Sequence, residues 1–406
     1  MHYFTHTLPN GLRMIHLPSD SPVSYCGFAV NAGTRDERPD ESGLAHFVEH
    51  LLFKGTKKRK AWHILNRMEN VGGELNAYTT KEDTFVYAIF MEEHYARAVE
   101  LLADLVFHSV FPPQEVEKER EVVIDEINSY RDNPSELIFD EFENRLFSGH
   151  ALGHNILGDE ESLARFTSAS GLSFVKRFYV PANMVFFSMG RIDMKKVIRT
   201  VEKEAGDISL PLPEGNRIAP SPIPPHIERT GKETHQAHVL VGNRAYTMHD
   251  AKRVPLFLLN NLMGGPGMNS RLNMALREKH GLVYNVESSV TSYTDTGLAA
   301  TYFGTDRKNG EKALHLVRKE FVRICEEKLS ATQLAAAKKQ LTGQMGVSGD
   351  NKEGLFLALG KSFLHYDRYD TLEEVFAKIE KVTSADLLEV ANEVFCFDRL
   401  SGLIYE

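Results

Sequence analysis

The stretch Gly43-Leu44-Ala45-His46-Phe47-Val48-Glu49-His50-Leu51-Leu52-Phe53 decides how the rest of this chain is read. Its apolar residues recur at helical spacing, which predicts one helix from about Ser42 to Phe53. Positions four apart share a helix face, so His46 and His50 can present two imidazoles to one metal ion. Glu49 follows His46 by three residues and borders that face. Phe47, Val48, Leu51 and Leu52 supply the apolar side that anchors the helix.

A zinc ion that keeps one position open for water needs a third protein ligand. A second helical stretch, Glu115 to Ile127, offers two carboxylates, Glu119 and Glu126. They are seven positions apart, about two turns, and so face the same way. Periodicity does not choose between them. Glu126 lies at the more apolar end, beside Val122, Val123 and Ile127, where a carboxylate is costly unless paired with something positive.

Around these helices the chain reads as two halves with one order of elements. In the first half a strand (Gly27–Val30) precedes the His46 helix. A helix near Trp62–Val71 follows, then strands at Glu74–Tyr78 and Thr84–Phe90 and a long helix from about Glu92 to Phe107. In the second half a strand at His238–Gly242 precedes helices at Val254–Met263 and Leu272–Lys279. Strands near Tyr284–Ser289 and Gly297–Phe303 come next, then an amphipathic helix over Lys308–Glu326. Each half closes with a helix leading to a strand, Met184–Met189 in one and Arg399–Tyr405 in the other. The reading is a duplicated α+β domain, each copy a mostly antiparallel sheet packed with helices.

Between the halves, six of the chain's 16 prolines fall within residues 211–225. Proline neither continues a helix nor donates to a ladder, so 211–226 reads as a linker between domains at 1–210 and 227–406.

Composition narrows the function. Hydrophobic residues make up 42% of the 406 and charged residues 25%, an ordinary globular balance. A net charge of −9 argues against nucleic-acid binding. No run approaches the roughly 18 apolar residues a membrane helix needs, and the first residues lack a signal-peptide pattern. No membrane association and a cytoplasmic location are expected. Cys26, Cys325 and Cys396 are too few and too scattered for a disulfide framework, and read as free thiols.

The run His46-Phe47-Val48-Glu49-His50 resembles the inverted zinc motif H-x-x-E-H of the inverzincins. Extended through Lys54-Gly55-Thr56, it resembles the pitrilysin/insulinase family of metallopeptidases, in its short processing-peptidase-like branch. The resemblance runs from Leu8-Pro9-Asn10-Gly11 to the final strand. It implies a Zn²⁺ cofactor on His46, His50 and Glu126, with Glu119 as an outer carboxylate that orients a ligand or tunes the metal. Glu49 is implied as the base that activates water.

Two further stretches carry the likeness. Gly72-Gly73-Glu74-Leu75-Asn76-Ala77-Tyr78-Thr79 resembles the family's edge strand, which implies that Asn76 and Ala77 pair with peptide substrate. Ser270-Arg271-Leu272 followed by Leu276 to Tyr284 resembles its Arg/Tyr pair. Arg277 would then hold the substrate's carbonyl region, and Tyr284 would help stabilise the oxyanion. Longer family members join four such domains, so a chain of two is expected to form a homodimer enclosing a chamber for short or unfolded peptides. The alternative is a non-catalytic or partner-requiring subunit of a heterodimer.

Overall fold

The computed structural model describes residues 2–211, 215, 217–232 and 234–406. In chain order the strands are β1 (Phe4–Thr7), β2 (Arg13–Pro18), β3 (Val23–Val30), β4 (Glu74–Thr79), β5 (Thr84–Met91), β6 (Met184–Gly190), β7 (Ile227–Thr230), β8 (Ala237–Ala245), β9 (Val283–Ser292), β10 (Gly297–Thr305) and β11 (Ser401–Tyr405). The helices are α1 (Leu44–Leu52), α2 (Ala61–Glu69), α3 (Tyr95–His108), α4 (Pro113–Arg131), α5 (Pro134–Leu146), α6 (Glu160–Arg165), α7 (Ser168–Phe178), α8 (Met194–Ala205), α9 (Arg253–Gly264), α10 (Gly310–Glu326), α11 (Ala331–Ser348), α12 (Lys352–Tyr366), α13 (Leu372–Lys381) and α14 (Ser384–Val394). None of the described helices is long and apolar enough to cross a membrane.

The strands form two sheets, ordered β1-β2-β6-β3-β5-β4 and β7-β11-β8-β10-β9. Each is antiparallel apart from one parallel pair, β2 with β6 and β7 with β11. Aligning those pairs matches the sheets strand for strand, with β1 as the first sheet's extra edge. The α+β duplication expected from the order of elements is thus the architecture of the chain.

In the first sheet, alternate residues go to opposite faces, and both faces are buried. Phe28, Val86, Ala88 and Phe186 pack with α1 and α3 residues in one core. Their neighbours Tyr25, Ala29, Phe85, Tyr87 and Phe187 pack on the other face against Phe356, Leu359 and Phe363 of α12. Close approach here requires glycine: a Cβ on Gly360 would lie 2.6 Å from the Phe187 ring. The second sheet is likewise covered twice. Val239, Val241 and Phe303 join α9, α10 and α14 residues, while Leu240, Tyr302 and Leu403 pack against Ile138, Phe142 and Leu146 of α5.

The compact units are therefore not the contiguous 1–210 and 227–406 read from the sequence. Unit 1 comprises Met1–Asn128, His154–Arg217 and Gly349–Asp370, and unit 2 comprises Ser129–Gly153, Ile218–Ser348 and Thr371–Glu406. Each half of the chain supplies a helix, α5 or α12, to the sheet of the other. The passage at Arg217/Ile218 falls inside the expected linker. Of that stretch, residues 212–214 and 216 lie outside the described set, and 217–226 form no helix or strand. They are tied down all the same, Arg217 to Asp36 at 2.8 Å within unit 1, and Pro220 and Ser221 carbonyls to Arg244 at 2.7 Å within unit 2.

Two local expectations differ in detail. The helix expected from Glu92 opens with a tight 3₁₀ turn over Glu92–His94 before α3. The Leu272–Lys279 helix widens into a π turn over Asn273–Glu278.

Candidate metal centre

The first unit builds its site on α1. Leu44, Ala45, Phe47, Val48, Leu51 and Leu52 are fully buried and fix the helix against the core. Gly43 starts it in the left-handed region, φ 89°, and a Cβ there would fall 2.7 Å from Gly158 Cα, so only glycine serves. No local side chain caps α1. Its orphan amides go instead to Glu37, whose carboxylate oxygens accept from Gly43 N at 3.0 Å and Ala45 N at 2.7 Å. Burial pushes the Glu37 carboxyl well above its ordinary value, against the pull of those amides.

With the helix so held, His46 and His50 stand side by side, ring centroids 4.6 Å apart. Helix α4 brings Glu126 to them: one carboxylate oxygen lies 3.5 Å from His50 Nε2 and 3.8 Å from His46 Nε2. The three donor atoms fall within 4.8 Å of one another, and among the described residues this is the one such group that could hold a metal. Two turns earlier on α4, Glu119 takes the other side of His50, its oxygen 2.8 Å from Nδ1. A hydrogen bond to Nδ1 leaves the Nε2 lone pair for a metal, the arrangement that fixes a histidine ligand's tautomer. The donor set of two imidazoles and a carboxylate suits zinc.

Burial separates the two α4 carboxylates in the reverse of the sequence argument. The Glu119 side chain is 6% exposed and Glu126 44% exposed. The buried acid is the paired one: Lys54 Nζ lies 2.6 Å from its second oxygen. Burial works against the Glu119 charge, but hydrogen bonds from His50 and Lys54 prevail and hold its carboxyl below the ordinary value.

Glu49 feels the charges of His50 and Glu126, and its buried Oε2 makes no hydrogen bond of ordinary geometry. Such an orphan is costly unless a water or ligand satisfies it. Burial raises the Glu49 carboxyl, Thr79 and His50 pull it back, and the Glu126 charge adds to the rise. Burial, reinforced by His50, takes His46 down to about 3, so its ring is neutral and available as a ligand at neutral pH. For His50, burial is overcome by Glu119 and the nearby carboxylate charges, and the net shift is upward.

Asn76 and Ala77 lie on β4, which among the described residues pairs with β5 alone and is an edge of the sheet. Ala77 faces the core shared with α1, and Asn76 points to the opposite face. Arg277 and Tyr284 belong to the second unit. Arg277 is exposed on the π turn. Tyr284 is the second residue of β9, is 61% exposed and donates to Asp306 at 3.3 Å. It borders a cavity of about 540 Å³ with Tyr130, Glu136, His238, Glu287 and Tyr302.

Sequence reasoning missed Glu37 and Lys54. Lys54 stood inside the quoted motif, two residues past the end of α1, where a cation at a helix C-terminus has a ready dipole explanation. Nothing in the spacing of Glu37 marks it as a cap for a helix starting seven residues later.

Residues 14–160 match the family described as Insulinase (Peptidase family M16), and residues 165–341 match the description Peptidase M16 inactive domain. An uncharacterized zinc protease of Streptomyces coelicolor is 32% identical over 404 residues, covering 96% of this chain and 86% of that protein. One of Bacillus subtilis is 31% identical, covering 98% and 97%. In fold, the chain is similar to a protease from Helicobacter pylori, TM-score 0.90 at 21% identity, with 100% of this chain and 99% of that one covered. A Pseudomonas fluorescens structure titled peptidase M16 inactive domain gives TM-score 0.91 at 19% identity, covering 100% and 98%. The chain belongs to peptidase family M16, the insulinase family, and its relatives carry the name zinc protease.

Proposed function

We propose that this protein is a zinc-dependent endopeptidase acting on short or unfolded peptides, with His46, His50 and Glu126 as ligands and Glu49 as general base. The observation that carries the reading is the meeting of three metal donors within 4.8 Å beside a buried Glu49 oxygen that makes no hydrogen bond of ordinary geometry. Bound there, zinc would acidify a water and polarise a peptide carbonyl. Glu49, outside the ligand set, takes the proton from water and delivers it to the leaving nitrogen. The raised carboxyl of Glu49 suits a group that must both accept and release a proton.

The free edge of β4 offers backbone groups to an extended peptide, so Asn76 and Ala77 hold substrate by strand addition, which reads main chain more than side chains. In a homodimer, Arg277 and Tyr284 of one protomer complete the centre of its partner by gripping the substrate carbonyl region and the developing oxyanion. The functional unit is a homodimer, which assembles four of these domains.

The second reading is a subunit that needs a different partner for activity. It is favoured by the description Peptidase M16 inactive domain for residues 165–341, but all four metal-site residues fall within 14–160. Cleavage of a peptide of roughly 15–30 residues, a length that can lie extended along one strand edge, separates the two. The wild type should cleave it and lose activity to a chelator, while Glu49→Gln keeps zinc and loses turnover. Glu49→Gln mixed with Arg277→Ala should regain activity that neither has alone. Zinc binding without cleavage of any of a varied peptide set would put the partner-requiring reading first.

A further inference from the structure

Beyond the ligands themselves, the cluster contains a cation with no assigned role. Lys54 Nζ lies 2.6 Å from Glu119 Oε2, and Glu119 Oε1 lies 2.8 Å from His50 Nδ1. The three groups form an unbroken line from an ammonium to the Nδ1 edge of the His50 imidazole. Glu119 is buried, so its second oxygen has little recourse to water if the lysine is removed.

The backbone that carries Lys54 is unusually well tied. Lys54 N donates to Leu51 O at 3.1 Å, and the Gly55 carbonyl accepts from Val110 N at 3.1 Å. Thr56 N donates to Arg59 O at 2.8 Å, and Lys57 N donates to His108 O at 2.9 Å. Thr56 Oγ1 donates to the buried Asp104 at 2.7 Å, which also receives Arg59 at 2.5 Å. The turn after α1 is thereby fastened to the end of α3, just before α4 begins. A flexible lysine stem gains a fixed base.

Resting on the metal-centre reading above, we propose that Lys54 is a positioning residue of the zinc site: it holds one oxygen of Glu119 so that the other stays on His50 Nδ1 and His50 Nε2 stays aimed at the metal. Partners of this kind govern metal affinity, and their loss costs roughly 10- to 100-fold. A neutral residue of similar length removes the hold without touching any ligand. Lys118, next to Glu119 in sequence, pairs with Glu115 at 2.7 Å on the surface of α4 and serves as the control.

The test measures zinc affinity of the full chain by competition with a chromophoric chelator, together with the visible spectrum of the cobalt-substituted protein. Lys54→Met should weaken zinc roughly 10-fold or more and alter the cobalt spectrum, and should also lower the melting point of the metal-free protein, because a buried carboxylate oxygen loses its partner. Lys118→Met should leave both unchanged. The decisive arm is a cycle with Glu119→Gln. If Lys54 acts through Glu119, Lys54→Met in that background weakens zinc by less than about twofold. Equal weakening in both backgrounds overturns the proposal, as does Lys54→Met binding zinc like the wild type. Should Lys54→Met fail to fold, Lys54→Gln, likewise neutral, takes its place in the cycle under the same criterion. Because the readout is zinc rather than turnover, a wild type that binds zinc but cleaves nothing refutes the self-sufficient peptidase reading and leaves this result standing.

Discussion

Removing the Asp83 carboxylate should loosen α12 from the first sheet and erase one defined part of the protein's acid sensitivity. Asp83 is 1% exposed, in the turn before β5. Its oxygens meet His365 Nε2 at 2.5 Å and Lys361 Nζ at 3.2 Å, both on α12. Burial opposes its charge, but the hydrogen bond and charge of His365, aided by Lys361, bring its carboxyl from 3.8 down to about 2. A carboxylate with a lowered folded value contributes stability that is fully present above its unfolded value and is lost as pH falls through the folded one. At about 1.4 kcal/mol per tenfold change in proton affinity, the gap is worth about 2 kcal/mol, lost between about pH 4 and pH 2. Asp83→Asn should therefore cost at least about 2 kcal/mol at pH 7, and up to about 5 because it breaks a buried pair.

A second acid-sensitive group provides the internal control. Burial pushes His16 from 6.5 down to about 4, against the upward pull of the Ile192 backbone and Asp193. Its folded value lies below its unfolded one, so unfolding takes up a proton and stability falls from about pH 6.5 through 4. Urea titrations of metal-free protein from pH 7 to pH 2.5, with hydrogen exchange read across residues 349–370, separate the two. Asp83→Asn should flatten the loss below pH 4, leave the loss between 6.5 and 4, and speed exchange in α12. Unchanged exchange in α12 with an intact acid slope would refute the assignment.

Three further outcomes follow from the packing. Glu37→Ala leaves the buried amides of Gly43 and Ala45 unsatisfied, at about 1–3 kcal/mol each. It should lower the melting point of the metal-free protein and also weaken zinc. Gly360→Ala drives a methyl into the Phe187 ring and should cost about 1–3 kcal/mol by overpacking, seen as faster exchange in both α12 and β6. Glu119→Gln should keep the fold and lose about 10- to 100-fold in zinc affinity, measured by chelator competition.

The sequence shows the donors more readily than their arrangement. Two histidines four apart on an apolar helix are visible because helical spacing is a local property, and so is the order of strands and helices that reveals the duplication. The choice between Glu119 and Glu126 is not local. Both share a face of α4, and the apolar flank pointed to Glu126 as the costlier burial. In the structure it is Glu119 that is buried, and Lys54 makes this tolerable, a pairing that forms only when the turn after α1 meets α4. The exchange of α5 and α12 is hidden for the same reason. An amphipathic pattern such as Phe356, Leu359 and Phe363 shows that a helix has an apolar face, without showing which sheet will cover it.

This division explains how α1 is set. Its two candidate donors come from one short motif, but its aim comes from residues that no helical spacing connects to it. Glu37 fixes the first turn of α1 through two amides. Lys54 and Glu119 act past the last turn, where α1 gives way to a hydrogen-bonded turn fastened to α3. A buried apolar side prevents the helix from rolling, and the two polar anchors prevent it from sliding along its axis. Imidazoles four residues apart need both constraints, because a shift of a fraction of a turn would carry one Nε2 away from the Glu126 oxygen while bringing the other closer. The motif therefore specifies which atoms can bind a metal, and the anchors at the two ends of α1 determine that they converge.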